Sequence, residues 1–353
     1  MEKLTKKLKD NIEGVKAVLS AEDILVYGFL TGDGTECAIV YTDGMVDKAL
    51  LGDLAARPLS KLTPENKEKG FTPEEVKQTL LFPELKEETQ LQNIFAEVLD
   101  GNSLLLVDGL ETGLIVGAKL LPVRTVMEPP TDIAVKGPRE GFIEDIKTNM
   151  ALLRKRLKTP DLKFELQKAG KRSQTNIAIC YLDGICDEKV KKEVAARIGE
   201  IDIDCIPDSS YVAAFIAPRK HSIFREVGTT EKPDILAAKM AEGRVGILVD
   251  GSPIALTVPF ILTEDFQSSE DYFVSPFMAT IFRAIRFLAI LIALLLPAFY
   301  VTSQLFKMQL IPLGLMLNIA SSVQGLPLSP SLEMFLVLLT LEVLKEADRK
   351  SVV

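Results

Sequence analysis

Two stretches of this chain repeat each other 140 positions apart: Ala38–Asp47 reads AIVYTDGMVD and Ala178–Asp187 reads AICYLDGICD, with six of ten positions identical. A second echo follows in the same order, LLVDG (Leu105–Gly109) against ILVDG (Ile247–Gly251), at an offset of 142. In both copies it is preceded by an acid and a glycine, Asp100-Gly101 and Glu242-Gly243. The landmarks keep separations of 65 and 67 residues, so one fold must serve twice and insertions are confined to loops. The copies cover Ile24 to Pro122 and Phe164 to Thr263.

Inside each copy the periodicity predicts the same elements. ILVYGFL and CAIVYT, like KFELQK and TNIAICYL, are β-rich runs around a turn and read as hairpins. A helix follows each Tyr-x-Asp-Gly (Val46 to Ala56; Glu188 to Ile198), then a proline-marked loop, a second helix (Thr89 to Leu99; Pro233 to Ala241) and a closing hairpin. The four Asp-Gly pairs at Asp43, Asp108, Asp183 and Asp250 follow apolar runs and are the dipeptide that tight turns select. Gly101 and Gly243 stand where a helix end wants positive φ. Between the copies, Phe142, Ile143, Ile146, Met150, Leu153 and Leu157 recur at helical spacing. Acids lie at the start of this helix and Arg154, Lys155, Arg156 and Lys158 at its end, as the helix dipole favours. It reads as a solvated linker helix, or as a basic face for anionic head groups or a neighbouring subunit.

The last quarter differs in kind. Phe287 to Phe306 holds 20 residues without a charge, about 30 Å of helix, enough to cross a bilayer core. Arg283 and Arg286 precede it and Lys307 follows, which places its N-terminal side in the cytoplasm. Pro297 falls mid-span. Met308 to Leu332 is apolar but broken by prolines and glycines and suits a re-entrant or interfacial piece, or a short helix packed against another subunit; Leu332 to Ala347 reads as a helix too short to span alone. Glu333 and Glu342 in that helix are candidate polar or gating positions near an ion path, or ordinary cap and interfacial residues.

The fold class expected is therefore α/β: two tandem duplicated α/β domains, mixed sheets with helices, followed by a transmembrane helical region. The expected division is a first cytosolic domain over 1–130, a linker helix over 131–162, a second cytosolic domain over 163–270 and a membrane region over 271–353, with its span at about 287–306. Composition narrows function. Forty-one basic against 49 acidic side chains, with no basic run interleaved with aromatics, point away from nucleic acid. One histidine, His221, read as an exposed loop residue, and no GxxxxGK[ST], GxGxxG after a strand or HExxH leave an enzyme without an anchor; no catalytic residue, metal or cofactor is expected. The four cysteines lack CxxC spacing and read as reduced cytosolic thiols, Cys180 as a small buried hydrophobe on a strand.

Three strings carry a resemblance: KGPREGFIEDIKTNMALLRKRLK, TTEKPDILAAKMAEGRVGILVDGSPIALTVP, and FQSSEDYF with an Arg-x-x-Arg and a helix ending LLPAFYV. From about Ile24 to Ala347 the chain resembles the A-subunit family of GerA-type spore germination receptors, which includes the SpoVAF paralogues. The motif positions are Gly137, Pro138, Arg139, Asp250, Gly251, Ser252, Pro253, Gln267, Glu270 and Asp271. The resemblance implies a protein of the spore inner membrane with cytoplasmic N-terminal domains. It implies work beside B-type transporter-like and C-type lipoprotein subunits, assembly into a homo-oligomeric ring, and coupling of a nutrient signal to ion release. No ligand-binding position is carried over. After LEVLKEA the family pattern would continue into further spans, whereas here Asp348 to Val353 follow, so a C-terminally truncated member is the expectation. An alternative function from another class is a membrane-anchored module holding a small molecule in the cleft between the copies.

Overall fold

The computed structural model describes residues 3–64, 70–120, 137–219, 222, 224–267, 271, 274–306, 312–323 and 328–351, and divides into two compact units, Met1–Asp265 and Phe266–Val353. In the first lobe of the first unit, helix α1 (Leu8–Val18) precedes the hairpin β1 (Ile24–Leu30) and β2 (Glu36–Thr42). A helical stretch follows, made of α2 (Lys48–Leu51), a π-helical turn (Gly52–Ala56) and α3 (Arg57–Leu59). After it come α4 (Pro73–Thr79), β3 (Leu85–Glu88), α5 (Leu91–Leu99) and the closing hairpin β4 (Ser103–Val107) and β5 (Gly113–Val116). The second lobe runs α6 (Ile146–Arg156), β6 (Leu162–Ala169), β7 (Thr175–Leu182), α7 (Glu188–Gly199), α8 (Ser209–Ile216), β8 (Gly228–Thr230), α9 (Pro233–Ala241), β9 (Val245–Val249) and β10 (Ala255–Val258).

The duplication holds to the register. The strand orders are β1-β2-β4-β5-β3 and β6-β7-β9-β10-β8, and Ala38 faces Leu106 as Ala178 faces Leu248. The mixed sheets expected are antiparallel in every described pairing, because each sheet joins two hairpins whose helical connections return the chain to a neighbouring strand. Strands β4 and β9 are buried along their whole length, which is why SLLLV and VGILV read as continuous rather than alternating runs. Both faces are covered: α1 and α5 pack on one side of the first sheet and the α2–α4 stretch on the other, with α6 and α9, then α7 and α8, in the same places on the second. The Asp-Gly turns form as read, with φ of +80° at Gly44, +92° at Gly109, +77° at Gly184 and +84° at Gly251.

One expectation is corrected. The helix read as a solvated linker is buried: Ile146, Met150, Leu152 and Leu153 of α6 sit in the core of the second lobe with Leu236, Met240 and Phe164. It is the counterpart of α1, 138 positions earlier. Asn11 ties the chain before α1 through Thr5 N to its Oδ1 (2.8 Å) and its Nδ2 to Thr5 O (2.6 Å). Asn149 does the same before α6, through Ile143 N (2.9 Å) and Ile143 O (2.5 Å). Leu8 N donates to Asp108 Oδ1 and Ile146 N to Asp250 Oδ1. The repeated unit therefore begins with its own helix, not at the first strand.

In the second unit, α10 (Pro276–Phe306) is followed by α11 (Leu313–Val323) and α12 (Pro330–Ser351), and α10 packs against α12. Pro276–Ser303 is long and apolar enough to cross a membrane, the one such helix among the described residues. It starts before the expected Phe287, so Arg283 and Arg286 lie within the helix rather than ahead of it, and Pro297 stays inside it.

Candidate functional site

Two of the three resemblance strings meet at the start of α6. The 137–142 segment opens on Gly137 (φ +122°) and runs through half-buried Pro138 and exposed Arg139 to Glu140, which pairs with Lys155 (2.6 Å) and Arg156 (3.0 Å) of α6. Those two cations hold the Glu140 carboxyl below the usual range, the Lys155 hydrogen bond being the largest cause. Buried Phe142 donates its N–H to Glu231 O at 2.7 Å. The β9–β10 turn reaches the same place. Asp250 accepts from Ile146 N (3.4 Å) and Asn176 Nδ2 (3.2 Å), and Gly251 N donates to Glu144 O (2.8 Å).

Ser252, 2% exposed, extends this turn across to α8. Its hydroxyl donates to Asp208 Oδ1 at 2.5 Å and lies 3.1 Å from Ser209 Oγ. Asp208 is the N-cap of α8, its other oxygen accepting from Ser210 N at 3.0 Å. Burial pushes this carboxyl up, but the hydrogen bonds from Ser252 and the α8 N–H groups outweigh it and leave the pKa at about 2. Pro253 follows, half-buried. Sequence reasoning missed Asp208, although Asp-Ser-Ser before an apolar run is a helix-start signal.

A second cluster joins the lobes. Arg154, 1% exposed, gives Nε to Asp23 Oδ2 (3.0 Å), Nη2 to Asp23 Oδ1 (2.8 Å) and Nη1 to Thr159 O (3.0 Å), and its guanidinium lies 5.1 Å from the Phe164 ring centroid. Burial raises the Asp23 carboxyl, against the opposing charge and hydrogen bonds of Arg154. Around this pair, Lys163 Nζ reaches Val18 O and Ser20 Oγ, Leu166 N donates to Glu22, and Asp43 pairs with Lys147 (3.1 Å). At Gly44 a Cβ would lie 2.8 Å from Lys147 O, so only glycine lets the first lobe approach α6 this closely.

The third string lies in the second unit. Asp271, 5% exposed, is held by Arg283 Nε (3.1 Å) and by both terminal nitrogens of Arg286 (3.2 and 3.3 Å), and Arg286 also donates to Phe266 O. The two arginines read as orienting charges thus clamp the chain that leads into α10. Gln267 is exposed, and Glu270, like His221, lies outside the described residues. On α12, Glu333 is half-buried and lines a cavity of about 380 Å³ with Leu328, Leu336, Val337, Thr340 and Leu341, whereas Glu342 is exposed and pairs with Lys345 (3.3 Å). The structure does not bring the two together.

No group of three or more His, Cys, Asp or Glu that could hold a metal occurs among the described residues. Burial pushes the Cys37 thiol up to about 12 and raises Cys180 as well, so both are poor nucleophiles packed on central strands. What these clusters do is mechanical: they fasten helix starts, lobes and the chain leading into an apolar helix.

A family model described as Bacillus/Clostridium GerA spore germination protein matches residues 9–350. Spore germination protein KA of Bacillus subtilis is 34% identical over 342 residues, 96% of this chain and 62% of that protein. Stage V sporulation protein AF of the same organism is 32% identical over 75% of this chain and 54% of its own length, and a Bacillus subtilis membrane protein, YfkQ, is 34% identical over 96% of this chain and 66% of its own. The chain thus spans between half and two thirds of these relatives. Among solved structures, the N-terminal domain of the A subunit of the Bacillus megaterium spore germinant receptor GerK3 superposes with a TM-score of 0.56 at 30% identity, covering 73% of this chain and 98% of that one.

Proposed function

From the premise that this chain belongs to the GerA family of spore germination proteins, we propose that it is the A-type subunit of a germinant receptor in the spore inner membrane, coupling nutrient sensing to ion flux. In this reading the two-lobed unit is cytoplasmic, α10 spans the bilayer, and the subunit works beside a B-type transporter-like subunit, a C-type lipoprotein subunit and further copies of itself. Glu333, facing a cavity in the second unit, is the better of the two candidate gating positions. The observation that carries the reading is the family match over residues 9–350, joined to a fold neighbour that is itself a germinant receptor A subunit. The Asp271–Arg283–Arg286 clamp supports coupling, because it gives movement of the chain around Asp271 a stiff attachment to α10.

The test is genetic and then topological. Spores lacking this gene should lose germination, followed as the fall in optical density, in response to at least one nutrient class; an unchanged response to every nutrient tested would refute the reading. For orientation, Cys205 is exposed on the second lobe. In inner-membrane vesicles of known sidedness it should react with an impermeant maleimide only from the cytoplasmic face, and labelling from the opposite face reverses the assigned topology.

A further inference from the structure

The internal lobe junction uses one face of each copy, and among the described residues the charges on the counterpart of each face form no ion pair. On the first lobe the junction face is Asp23, Asp43 and Met45; on the second it is Lys147 and Arg154 of α6. The correspondence is fixed by geometry. Asp43 N donates to Asp23 O at 2.7 Å just as Asp183 N donates to Asp161 O at 2.8 Å, so Asp161 and Asp183 stand in the second lobe where Asp23 and Asp43 stand in the first. Lys9 is the second residue of α1 as Lys147 is of α6, and Lys16 is the ninth as Arg154 is.

The charges survive the substitution: two acids on the second lobe, two lysines on α1. All four are exposed, and none is in an ion pair among the described residues. The apolar contact is kept as well. Met45, 1% exposed and in one core cluster with Ala151 of α6, corresponds to Ile185, which is 55% exposed. A hydrophobic side chain flanked by Asp183 and Asp161 therefore presents the pattern that already binds a helix carrying Lys and Arg at these two positions.

We propose that the Asp161–Asp183–Ile185 face of the second lobe binds α1 of another copy of this chain, head to tail, repeating between molecules the junction that joins the lobes within one. Such a contact is heterologous, each chain using a different face on its two sides. It is weaker than the internal junction, because Glu13 replaces Ala151 opposite the turn and the pairs start from exposed rather than buried charges. The proposal gives a surface to the self-assembly in the reading above and rests on it for its partner.

The test uses the full chain in detergent, with association followed by sedimentation. Lys9→Asp and Asp183→Lys should each weaken self-association about tenfold, since each turns an attraction into a repulsion at an exposed interface. An equimolar mixture of the two variants should restore it, because the carboxylate introduced on α1 of one chain then meets the ammonium introduced at the turn of the other. Both positions lie on the surface, so recovery in the mixture also shows that the variants are folded. Association unchanged by either variant would leave self-assembly standing and overturn this surface. A wild-type chain that stays monomeric up to about 100 μM, a mixture that fails to recover, or cover of the 183–187 turn by a different receptor subunit would overturn it too.

Discussion

The two lobes share a strand order and a register, yet the same turn does different work in each. In the first lobe, Asp43-Gly44 is pressed against α6, with Asp43 held by Lys48 (2.7 Å) and Lys147 (3.1 Å) and Gly44 in contact with backbone. In the second, Asp183-Gly184 is exposed and a Cβ at Gly184 would meet nothing within 4 Å. The sheet faces differ as well. Both Tyr181 and Tyr41 have a lysine over the ring, but Tyr181 donates to Glu165 at 2.5 Å, whereas Tyr41 and Lys48 line an open cavity of about 300 Å³ with Tyr27 in the place of Glu165. What stays the same in both copies, Asn11 and Asn149, Asp108 and Asp250, Gly101 and Gly243, makes the fold. What differs makes the junction.

The largest effect expected from breaking that comparison is at Arg154. Arg154→Ala leaves the Asp23 carboxyl buried without its counter-charge and should cost about 3–5 kcal/mol. Lys16→Ala, at the same helix position in the first lobe but exposed, should stay within about 0.5 kcal/mol. With no tryptophan in the chain, denaturant unfolding followed by circular dichroism is the measurement. Equal losses for the two variants would mean that the buried pair is not what distinguishes the lobes.

The turn glycines sharpen the point with one substitution made twice. Both have positive φ, +80° at Gly44 and +77° at Gly184, so alanine at either costs about 1–2 kcal/mol of backbone strain. Only at Gly44 does the new Cβ also collide with Lys147 O at 2.8 Å, which should add about 1–3 kcal/mol. Gly44→Ala is therefore the more damaging, by unfolding midpoint, and indistinguishable midpoints would argue that the lobes do not press together at this turn. Asn11→Ala and Asn149→Ala, in contrast, should cost the same, about 1–3 kcal/mol each, since each orphans the same two backbone groups before its helix.

This pattern also explains what could be read from the chain. The hairpin strands, the four turns and the second helices were legible because the AIVYTDG and LLVDG patterns recur with their spacing intact, and a buried strand or a turn glycine tolerates few residue types; β3 and β8, in the stretch that reads as a proline-marked loop, were not. Helix α1 was not recognised as the partner of α6, because LKDNIEGVKAV and IKTNMALLRKR share little beyond Lys9/Lys147 and Asn11/Asn149. One lies at the surface of its lobe and the other carries a junction, so their outer faces diverged. An asparagine at an offset of 138, two positions short of the turn repeat, was the available signal. Arg154 was legible as a cation at a helix end but not as a buried one, because its partner lies 131 residues away and nothing in local patterning records such a pairing. Ser252 was legible only within its motif, since its role depends on Asp208 across the lobe.

The smallest expected effect concerns that serine, where the lobes differ again: the residue after the Asp-Gly turn is Ser252 in the second lobe and Leu110, buried in apolar surroundings, in the first. Only the second lobe thus fastens its closing hairpin through a hydroxyl to the carboxylate that caps a helix. Asp208 falls from 3.8 to about 2 on folding because hydrogen bonds to the charged form outweigh its burial. A carboxyl whose pKa is lowered in the folded state stabilises above its unfolded value and loses that contribution as pH falls through the folded one. The loss should therefore develop between about pH 4 and pH 2, and with partial solvent screening should reach roughly 1–2 kcal/mol. Hydrogen exchange at the α8 N-terminus should accelerate in that window while the β4–β5 turn of the first lobe, where Leu110 stands in place of Ser252, keeps its protection. Asp208→Asn, which can still accept from Ser252 but cannot titrate, should flatten the response, and an acid response of equal size in both lobes would show that this hydroxyl–carboxylate contact is not its source.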